Sequence, residues 1–176
     1  MRYLTIPLNK NEIKELRAGE VVRLTGVIYT ARDAAHKKIC KLIDEGCELP
    51  FELKNAVIYY CGPCPAKPGD IIGSCGPTTS YRMDAYASVL YKNGADGAIG
   101  KGVIGDNVKK SMIDHCAVYF IATGGAGALI KSHVKSCEVI AFEELGAEAV
   151  RKLYVENLPL IVGVDCYGND IYNSIS

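Results

Sequence analysis

The sequence predicts an α/β fold in which helices cover at least one face of a sheet. Short runs rich in β-branched and aromatic residues alternate with amphipathic helical patterns along most of the 176 residues, which is typical of strand–helix units. Apolar residues make up 49% of the chain and charged residues 23%, as in ordered globular proteins. No repeat, low-complexity tract or linker interrupts the pattern, so we expect a single domain over residues 1–176.

Each element is predicted from its local pattern. Residues 20–30 form a run rich in Val, Leu, Ile and Thr, which favours a strand. In the segment that follows, Ala35, Ile39 and Ile43 recur at the spacing of one helix face. The same criteria predict strands at 3–8, 20–30, 55–60, 98–99, 117–123, 137–142 and 160–165, and helices at 10–16, from 32 onward, 83–92, 106–115, from 124 to 129, and 147–154.

The charge balance and the cysteines limit the possible classes of partner. Lysine plus arginine equal aspartate plus glutamate at 20 each, so net charge gives no reason to expect nucleic acid or an acidic membrane surface. The first eight residues contain no apolar stretch long enough for export or for a membrane span. Most of the eight cysteines lie within apolar runs, so we expect reduced thiols in a cytoplasmic protein.

One pair of cysteines, Cys61 and Cys64, has CxxC spacing. Such a pair can be a redox dithiol or half of a zinc site. No second CxxC follows, and the three histidines lie in separate segments. A structural turn is therefore the favoured interpretation, with a redox or metal role as the alternative.

The first candidate for binding chemistry is Arg32, which follows a predicted strand and begins a predicted helix. Unpaired N–H groups and the macrodipole attract anions to helix starts, and an arginine there can bind a carboxylate through two parallel hydrogen bonds. An exposed side chain paired with Asp33 is the equally supported alternative. His36, one helical turn later, could join the site or be a partly buried histidine with its hydrogen bonds satisfied.

The second candidate segment, residues 73–84, is rich in glycine and hydroxyl groups. Thr78, Thr79 and Ser80 precede Arg82, which stands near the start of another predicted helix. Small residues let a backbone approach a ligand closely, and hydroxyls offer donors or a proton-transfer group. Two arginines at two helix starts would suit a substrate with two carboxylates. The alternative is a helix cap whose hydroxyls face solvent.

The third candidate segment is the GxGxxG match at residues 100–105. A dinucleotide fingerprint requires an acidic residue about 20 positions later, and the next predicted strand ends instead in Ala122-Thr123-Gly124-Gly125. We therefore expect Lys101 to present a cation to a small anion rather than the loop to bind a nucleotide. The glycines at 124–127 are interpreted as close helix–strand packing.

Three motifs in this order, TARDAAHK, GPTTSYRMD and IGKG, resemble the beta subunit of the class I iron–sulfur fumarate hydratases and L-tartrate dehydratases. Single-chain members carry the same region at the C-terminus, and the resemblance extends from about Leu4 to Val164. It implies a swivelling β/β/α domain with a mixed sheet covered by helices. It also implies a [4Fe-4S] cluster held by three cysteines of a larger alpha subunit, so no metal ligand is expected in this chain.

Carried onto this sequence, the resemblance implies roles for several residues. Arg32 and Arg82 would bind substrate carboxylates, Lys101 would add a further cation, and Thr78 would be the base for the carbon-bound proton. Residues expected to support these groups from behind are His36, Asp33, Thr79 and Asp84. Tyr81 stands where some members have smaller residues, which leaves the choice among fumarate, tartrate and methylated dicarboxylates open.

These expectations favour a hydro-lyase subunit that is active only with its alpha partner, and fumarate is the first candidate substrate. A homodimer of the isolated chain is also expected to be possible. The competing class is a non-catalytic module that binds or senses a small anion, and a nicotinamide enzyme built on the loop at 100–105 is a third hypothesis.

Overall fold

The computed structural model describes residues 1–173, which contain seven strands and five α-helices. The strands are β1 (Arg2–Thr5), β2 (Val21–Thr30), β3 (Val57–Tyr59), β4 (Gly97–Gly100), β5 (Val118–Ile121), β6 (Val134–Ala141) and β7 (Val150–Val164). The helices are α1 (Lys10–Glu15), α2 (Asp33–Asp44), α3 (Asp84–Lys92), α4 (Asp106–His115) and α5 (Gly127–His133). Turns of 3₁₀ helix at Ser80–Met83 and Glu143–Glu148 precede α3 and β7.

The strands form a mixed sheet that closes on itself. Their order is β1-β2-β3-β4-β5-β7-β6. Strands β1 to β5 run parallel to one another, whereas β7 runs antiparallel to β5 and to β6. β7 also pairs antiparallel with β2, with Val21 opposite Ile161 and Tyr29 opposite Lys152. The pairings among β2, β3, β4, β5 and β7 therefore complete a ring, and β1 and β6 branch from it as edge strands.

Alternation along the strands gives the ring an inner and an outer core. Leu24 and Ile28 of β2 belong to the buried cluster inside the ring. A second buried cluster, which includes Ile39, Leu90 and Met112, lies between the outer face and helices α2, α3 and α4. Because both faces of β3, β4 and β5 are covered, the sequences of these three strands are almost uniformly apolar. The expected α/β class and the mixed sheet are confirmed.

The predicted helix at 147–154 is wrong. Residues from Val150 belong to β7, and the residues before them form the 3₁₀ turn Glu143–Glu148. Leu153 and Val155 are buried inside the ring while Lys152 and Tyr154 are exposed, which is the period of a strand. Helical propensity is a weak local preference, and here hydrogen bonding to β2 on one side and β6 on the other overrides it. The predicted strand at 160–165 is the last part of the same strand.

The other predicted elements are confirmed within a few residues. Helix α1 shows why its start was readable: the side chain of Asn9 accepts the Glu12 N–H at 2.8 Å, and the Glu12 carboxylate accepts the Asn9 N–H at 3.2 Å. This capping box satisfies two backbone donors that a helix start leaves unpaired. The parallel strands and the helices that follow them bring their connecting loops to one edge, where the candidate site lies.

Candidate active site

The candidate site lies at the carboxyl ends of the parallel strands β2, β3 and β4. Arg32 comes two residues after β2, and Lys101 follows β4 directly. The strand ends are held in register because the Ala31 N–H donates to the Tyr59 carbonyl at 3.0 Å and the Tyr60 N–H to the Ile99 carbonyl at 2.8 Å. Ligands of α/β folds with parallel strands, closed or open, bind at the carboxyl ends of the strands, so the fold places Arg32 and Lys101 where a site is expected.

Residues 77–80, which we name the threonine segment, lie just beyond the ends of β3 and β4, between the residues that follow these two strands. The Thr78 N–H donates to the Tyr60 carbonyl at 2.6 Å, and the Ser80 N–H donates to the Lys101 carbonyl at 2.9 Å. Thr79 pairs with Lys101 in a parallel bridge. Both threonines are half-buried. The structure thus places the backbone of Thr79 and Ser80 beside Lys101 and that of Thr78 beside Tyr60.

Arg82 reaches the start of α2 from the 3₁₀ turn before α3. Its guanidinium donates to the carboxylate of Asp33 in a short charge-assisted hydrogen bond. Sequence reasoning left open a pairing of Asp33 with Arg32, and the structure pairs Asp33 with Arg82 instead. Asp33 therefore joins the two arginine segments, and both guanidinium groups lie near the same helix start.

Arg32 is held by contacts that the sequence did not indicate. Its Nε lies 3.8 Å from a carboxylate oxygen of Glu148, in the turn that precedes β7. The same Nε is buried and has no hydrogen-bond partner among the described residues. The side chain lies on Gly62, where an added Cβ would come 2.9 Å from Cδ and 3.0 Å from Nη1. A side chain at position 62 would therefore displace this arginine.

His36 supports the helix start from below rather than lining the site. It is fully buried, its Nδ1–H donates to the Arg32 carbonyl at 2.9 Å, and its Nε2 has no partner within the described part of the chain. Burial lowers the pKa of His36 to about 4, against the opposing effects of the Arg32 carbonyl and the Asp33 carboxylate. The imidazole is therefore neutral at neutral pH.

Asp84 faces the opposite end of the loop that carries Lys101. Its carboxylate accepts the N–H of Gly105, the residue that caps α4, at 2.8 Å. Burial raises the pKa of Asp84, while this N–H and Lys109 act to lower it. Asp84 is thus a structural support for residues 101–105, which we name the lysine loop.

Lys101 itself forms no ion pair within residues 1–173, in contrast to Arg32 and Arg82.

Sequence reasoning missed three residues that shape this edge. Glu148 is distant in sequence from Arg32, and no local pattern connects the two. Gly62, three residues after the end of β3, carried a signal, since glycine lets another group approach the backbone closely. The position of Tyr119 within an apolar strand predicts a core residue, yet its hydroxyl donates a hydrogen bond to the Gly102 carbonyl at 2.9 Å.

The cysteines do not form a ligand set in the described residues. No group of three or more His, Cys, Asp and Glu side chains within residues 1–173 is arranged to hold a metal ion. Cys61 is buried and Cys64 is exposed, and both are free thiols. Burial raises the pKa of Cys75 to about 11 and also raises that of Cys61, which favours the protonated thiol over the thiolate that binds metals.

One cavity among the described residues is lined by none of the predicted site residues. This cavity, of about 510 Å³, is lined by Ile71, Ala128 and Lys131, among others. The candidate site is instead an open surface, where Tyr81 and Arg82 are exposed. Small substrates usually bind in an enclosed pocket. Here the grouping of basic side chains, and not a cavity, identifies this edge as the candidate site.

Comparison with known proteins gives the family. Residues 3–175 match the family model described as the fumarase C-terminus. The chain belongs to the fumarase C-terminus family. A Methanocaldococcus jannaschii relative, provisionally named L(+)-tartrate dehydratase subunit beta, is 40% identical over 182 residues, which covers 100% of this chain and 93% of the relative.

Two other relatives of this family member are fumarate hydratases. Fumarate hydratase 2 of Leishmania major is 37% identical over 95% of this chain, and the anaerobic class I fumarate hydratase of Escherichia coli is 40% identical over 86% of it. The chain spans only 30% and 28% of these two enzymes.

Among the helices of residues 1–173, none has the length and apolarity that crossing a membrane requires.

Proposed function

We propose that this chain is the beta subunit of a hydro-lyase that reversibly hydrates fumarate to malate together with a larger alpha subunit. Dehydration of L-tartrate, or hydration of a methylated dicarboxylate, is the alternative within the same class. One observation supports the proposal: the segments that carry Arg32, Thr78, Arg82 and Lys101 are joined by hydrogen bonds at one edge of the sheet. A dicarboxylate offers two anionic groups to such a set, and relatives named fumarate hydratase and tartrate dehydratase act on dicarboxylates.

The residues divide the reaction between binding and proton transfer. In hydration, a C–O and a C–H bond form as the π bond of the alkene and one O–H bond of water break. In dehydration, a base takes the carbon-bound proton, the electron pair of that C–H bond becomes the π bond, and the C–O bond breaks as hydroxide leaves. We assign the two carboxylates to Arg32 and Arg82, since guanidinium groups bind carboxylates through parallel hydrogen bonds. Thr78 Oγ1 is assigned the carbon-bound proton, because neighbouring cations favour a deprotonated hydroxyl. Lys101 supplies the third cation.

We assign the iron–sulfur cluster that the family resemblance implies to the alpha subunit. The donor set of this chain does not fit a cluster, because its buried thiols favour protonation and the described residues contain no grouping of three ligating side chains. The reaction assigned to this chain is therefore limited to substrate binding and to the proton on carbon.

The lengths of the relatives support a partner. The fumarate hydratases extend well beyond the region that matches this chain, whereas the M. jannaschii relative is matched over nearly its whole length and is named a subunit beta. By analogy with that subunit, we infer a separate alpha chain as the partner. A cytoplasmic location and a homodimer of the isolated chain stay predictions, and size-exclusion chromatography of the purified chain checks the second.

The decisive experiment compares this chain alone with the chain after anaerobic co-expression with a candidate alpha subunit and cluster reconstitution. Fumarate hydration is followed by the loss of fumarate absorbance, and L-tartrate and methylated dicarboxylates are assayed in parallel. We expect activity only in the mixture, with loss on exposure to oxygen. A loaded complex that is inactive toward every dicarboxylate would favour the non-catalytic anion-binding module.

The site assignment is tested in the same complex with arginine variants. Arg82→Ala should lower kcat/KM at least a hundredfold while assembly is retained, because the lost guanidinium is replaced by solvent at a carboxylate. Arg23→Ala is the matched control, since Arg23 of β2 is directed toward the Asn157 carbonyl, away from this edge. Near-normal kinetics in both Arg32→Ala and Arg82→Ala would refute the assignment.

A further inference from the structure

Two buried hydroxyls connect the threonine segment to the lysine loop. Ser80 and Tyr119 each expose only 1% of their surface. Their oxygens are 2.8 Å apart, and the Tyr119 hydroxyl lies 2.9 Å from the Gly102 carbonyl. Tyrosine carries a single hydroxyl proton. The chain of donors therefore runs from Ser80 to Tyr119 and from Tyr119 to the backbone of the lysine loop.

This connection is sterically enforced around Ser80. A Cβ added to Gly100, at the end of β4, would lie 1.9 Å from Ser80 Oγ. The glycine therefore makes room for the hydroxyl, and the Ser80 N–H also bonds the Lys101 carbonyl at 2.9 Å. Ser80 thus contacts Lys101 through its backbone and the residue after Lys101 through Tyr119.

The lysine loop is consequently fixed at two points on either side of its tip. Gly102, with a φ of +76°, is held by Tyr119, and Gly105 is held by the Asp84 carboxylate. The backbone of Lys101 is paired with the threonine segment, while its amine has no ion pair within residues 1–173. The direction of this side chain therefore depends on the backbone from which it extends.

Tyr119 is suited to such a constant role. Its strand partners anchor it, since it lies in β5 opposite Ala98 of β4 and Val164 of β7. Burial raises the pKa of its hydroxyl, so the proton needed for the bond to Gly102 is retained at neutral pH. A buried hydroxyl that donates one hydrogen bond and accepts another has a structural role and does not act as an acid or base.

We propose that Tyr119 is a positioning residue for the reaction assigned above: through Ser80 and Gly102 its hydroxyl sets where the Lys101 amine stands relative to Thr78. This inference rests on the proposed function. Removal of the hydroxyl takes this partner away from the partly buried Gly102 carbonyl and from the buried Ser80 hydroxyl, and the lysine loop relaxes. Because Lys101 is assigned as the third cation that attracts the dianionic substrate, the loss appears mainly in KM.

The test uses the assembled, reconstituted enzyme with Tyr119→Phe and, separately, Ser80→Ala. Tyr91→Phe is the matched control. Tyr91 is also buried, but its hydroxyl lies next to the Tyr60 hydroxyl in the outer core and not next to the threonine segment or the lysine loop. We expect kcat/KM to fall about tenfold in Tyr119→Phe, chiefly through KM, with a smaller fall in Ser80→Ala. Tyr91→Phe should lose comparable thermal stability without a change in KM.

A double-mutant cycle separates positioning from general destabilisation. If Tyr119 acts through Lys101, then Tyr119→Phe added to Lys101→Ala changes KM by less than twofold, whereas independent effects multiply. Multiplied effects, an unchanged KM in Tyr119→Phe, or an equal KM change in Tyr91→Phe would each overturn the positioning role. Failure of the proposed function is distinct from all of these, because then the unmutated assembly itself has no hydro-lyase activity.

Discussion

At the scale of single residues, each arginine of the candidate site is placed by an acidic side chain from another element. Asp33 of α2 holds Arg82, and Glu148 near β7 lies beside Arg32. Such pairs, at partly exposed positions, contribute little to stability. Their value is in orientation, because a guanidinium that already points toward the substrate loses less side-chain freedom on binding.

Asp33→Asn is predicted to weaken substrate binding with little effect on the fold. The amide can still accept a hydrogen bond from Arg82 but no longer attracts its charge, so KM in the assembled enzyme should rise roughly three- to tenfold while kcat changes little. Steady-state kinetics measures this. Asp44→Asn, at the other end of the same helix, is the charge-matched control and should keep a normal KM; an unchanged KM in Asp33→Asn would contradict the orienting role.

His36 predicts a specific dependence of stability on pH. Its folded pKa of about 4 lies below the ordinary value of 6.5, so the unfolded chain binds the proton more readily. The stabilisation is complete above pH 6.5 and is lost as the pH falls toward 4, by roughly 3 kcal/mol at most. Urea denaturation of His36→Gln between pH 7 and pH 4 should show a correspondingly weaker dependence than the unmutated chain.

His115 offers a matched control for that measurement. Its Nδ1 also bonds the carbonyl four residues earlier, that of Ser111, at 2.8 Å, but its ring is only partly buried. His115→Gln should therefore keep the pH dependence of the unmutated chain. An equal loss of the dependence in both variants would show that burial of His36 is not its source.

At the scale of elements, β7 is the strand on which the ring depends, since it pairs with β2, β5 and β6. Its length and its alternating burial distinguish it from the short parallel strands. Where it meets β2, the pairing changes register between Leu24 and Gly26. An irregularity of this kind bends a strand, which assists closure of the ring.

Leu153→Ala in β7 is predicted to destabilise the protein by about 2–4 kcal/mol, because a fully buried side chain inside the ring is replaced by a cavity. Lys152→Ala, the neighbouring position that faces solvent, should change the free energy of unfolding by less than about 0.5 kcal/mol. Urea denaturation of both variants measures the difference. Equal values would contradict the alternation of the strand and favour the rejected helix.

The contrast between α2 and β7 shows what local sequence could predict. Helix α2 has an apolar stripe that includes Ala35 and Ile39, and the helix begins within one residue of its predicted start. The first part of β7, predicted as a helix at 147–154, has no such local evidence, because its partners in β2 and β6 are remote in sequence. The candidate site follows the same division: Thr78 and Lys101 lie in recognisable motifs, whereas the contact of Glu148 with Arg32 exists only after the ring has closed.

At the scale of the whole molecule, an ion pair ties α1 to the edge of the sheet opposite the candidate site. The Lys10 amine lies 2.7 Å from the carboxylate of Asp96, just before β4, and also donates to the carbonyls of His115 and Cys116. Burial raises the pKa of Asp96, and Lys10 acts to lower it. One carboxylate oxygen has no hydrogen bond within the described residues, so the carboxylate depends on this lysine.

Lys10→Met is therefore predicted to destabilise the protein by about 2 kcal/mol at pH 7, a value reduced for the partial exposure of the lysine. Asp96→Asn in the same chain should recover part of the loss, because the unpaired charge is then absent. Lys14→Met, on the same helix, is the control. Thermal or urea unfolding of the three variants gives the comparison, and additive losses in the double variant would contradict the dependence.

The closed ring also has a consequence in time. β2 and β7 come from opposite ends of the sequence, so during synthesis β2 leaves the ribosome long before its antiparallel neighbour exists. Contacts between remote segments form slowly, and an unpaired strand edge can associate with other chains. Until β7 has emerged, the apolar face of β2 stays uncovered, and a nascent chain halted before that point is the species that chaperones would have to protect.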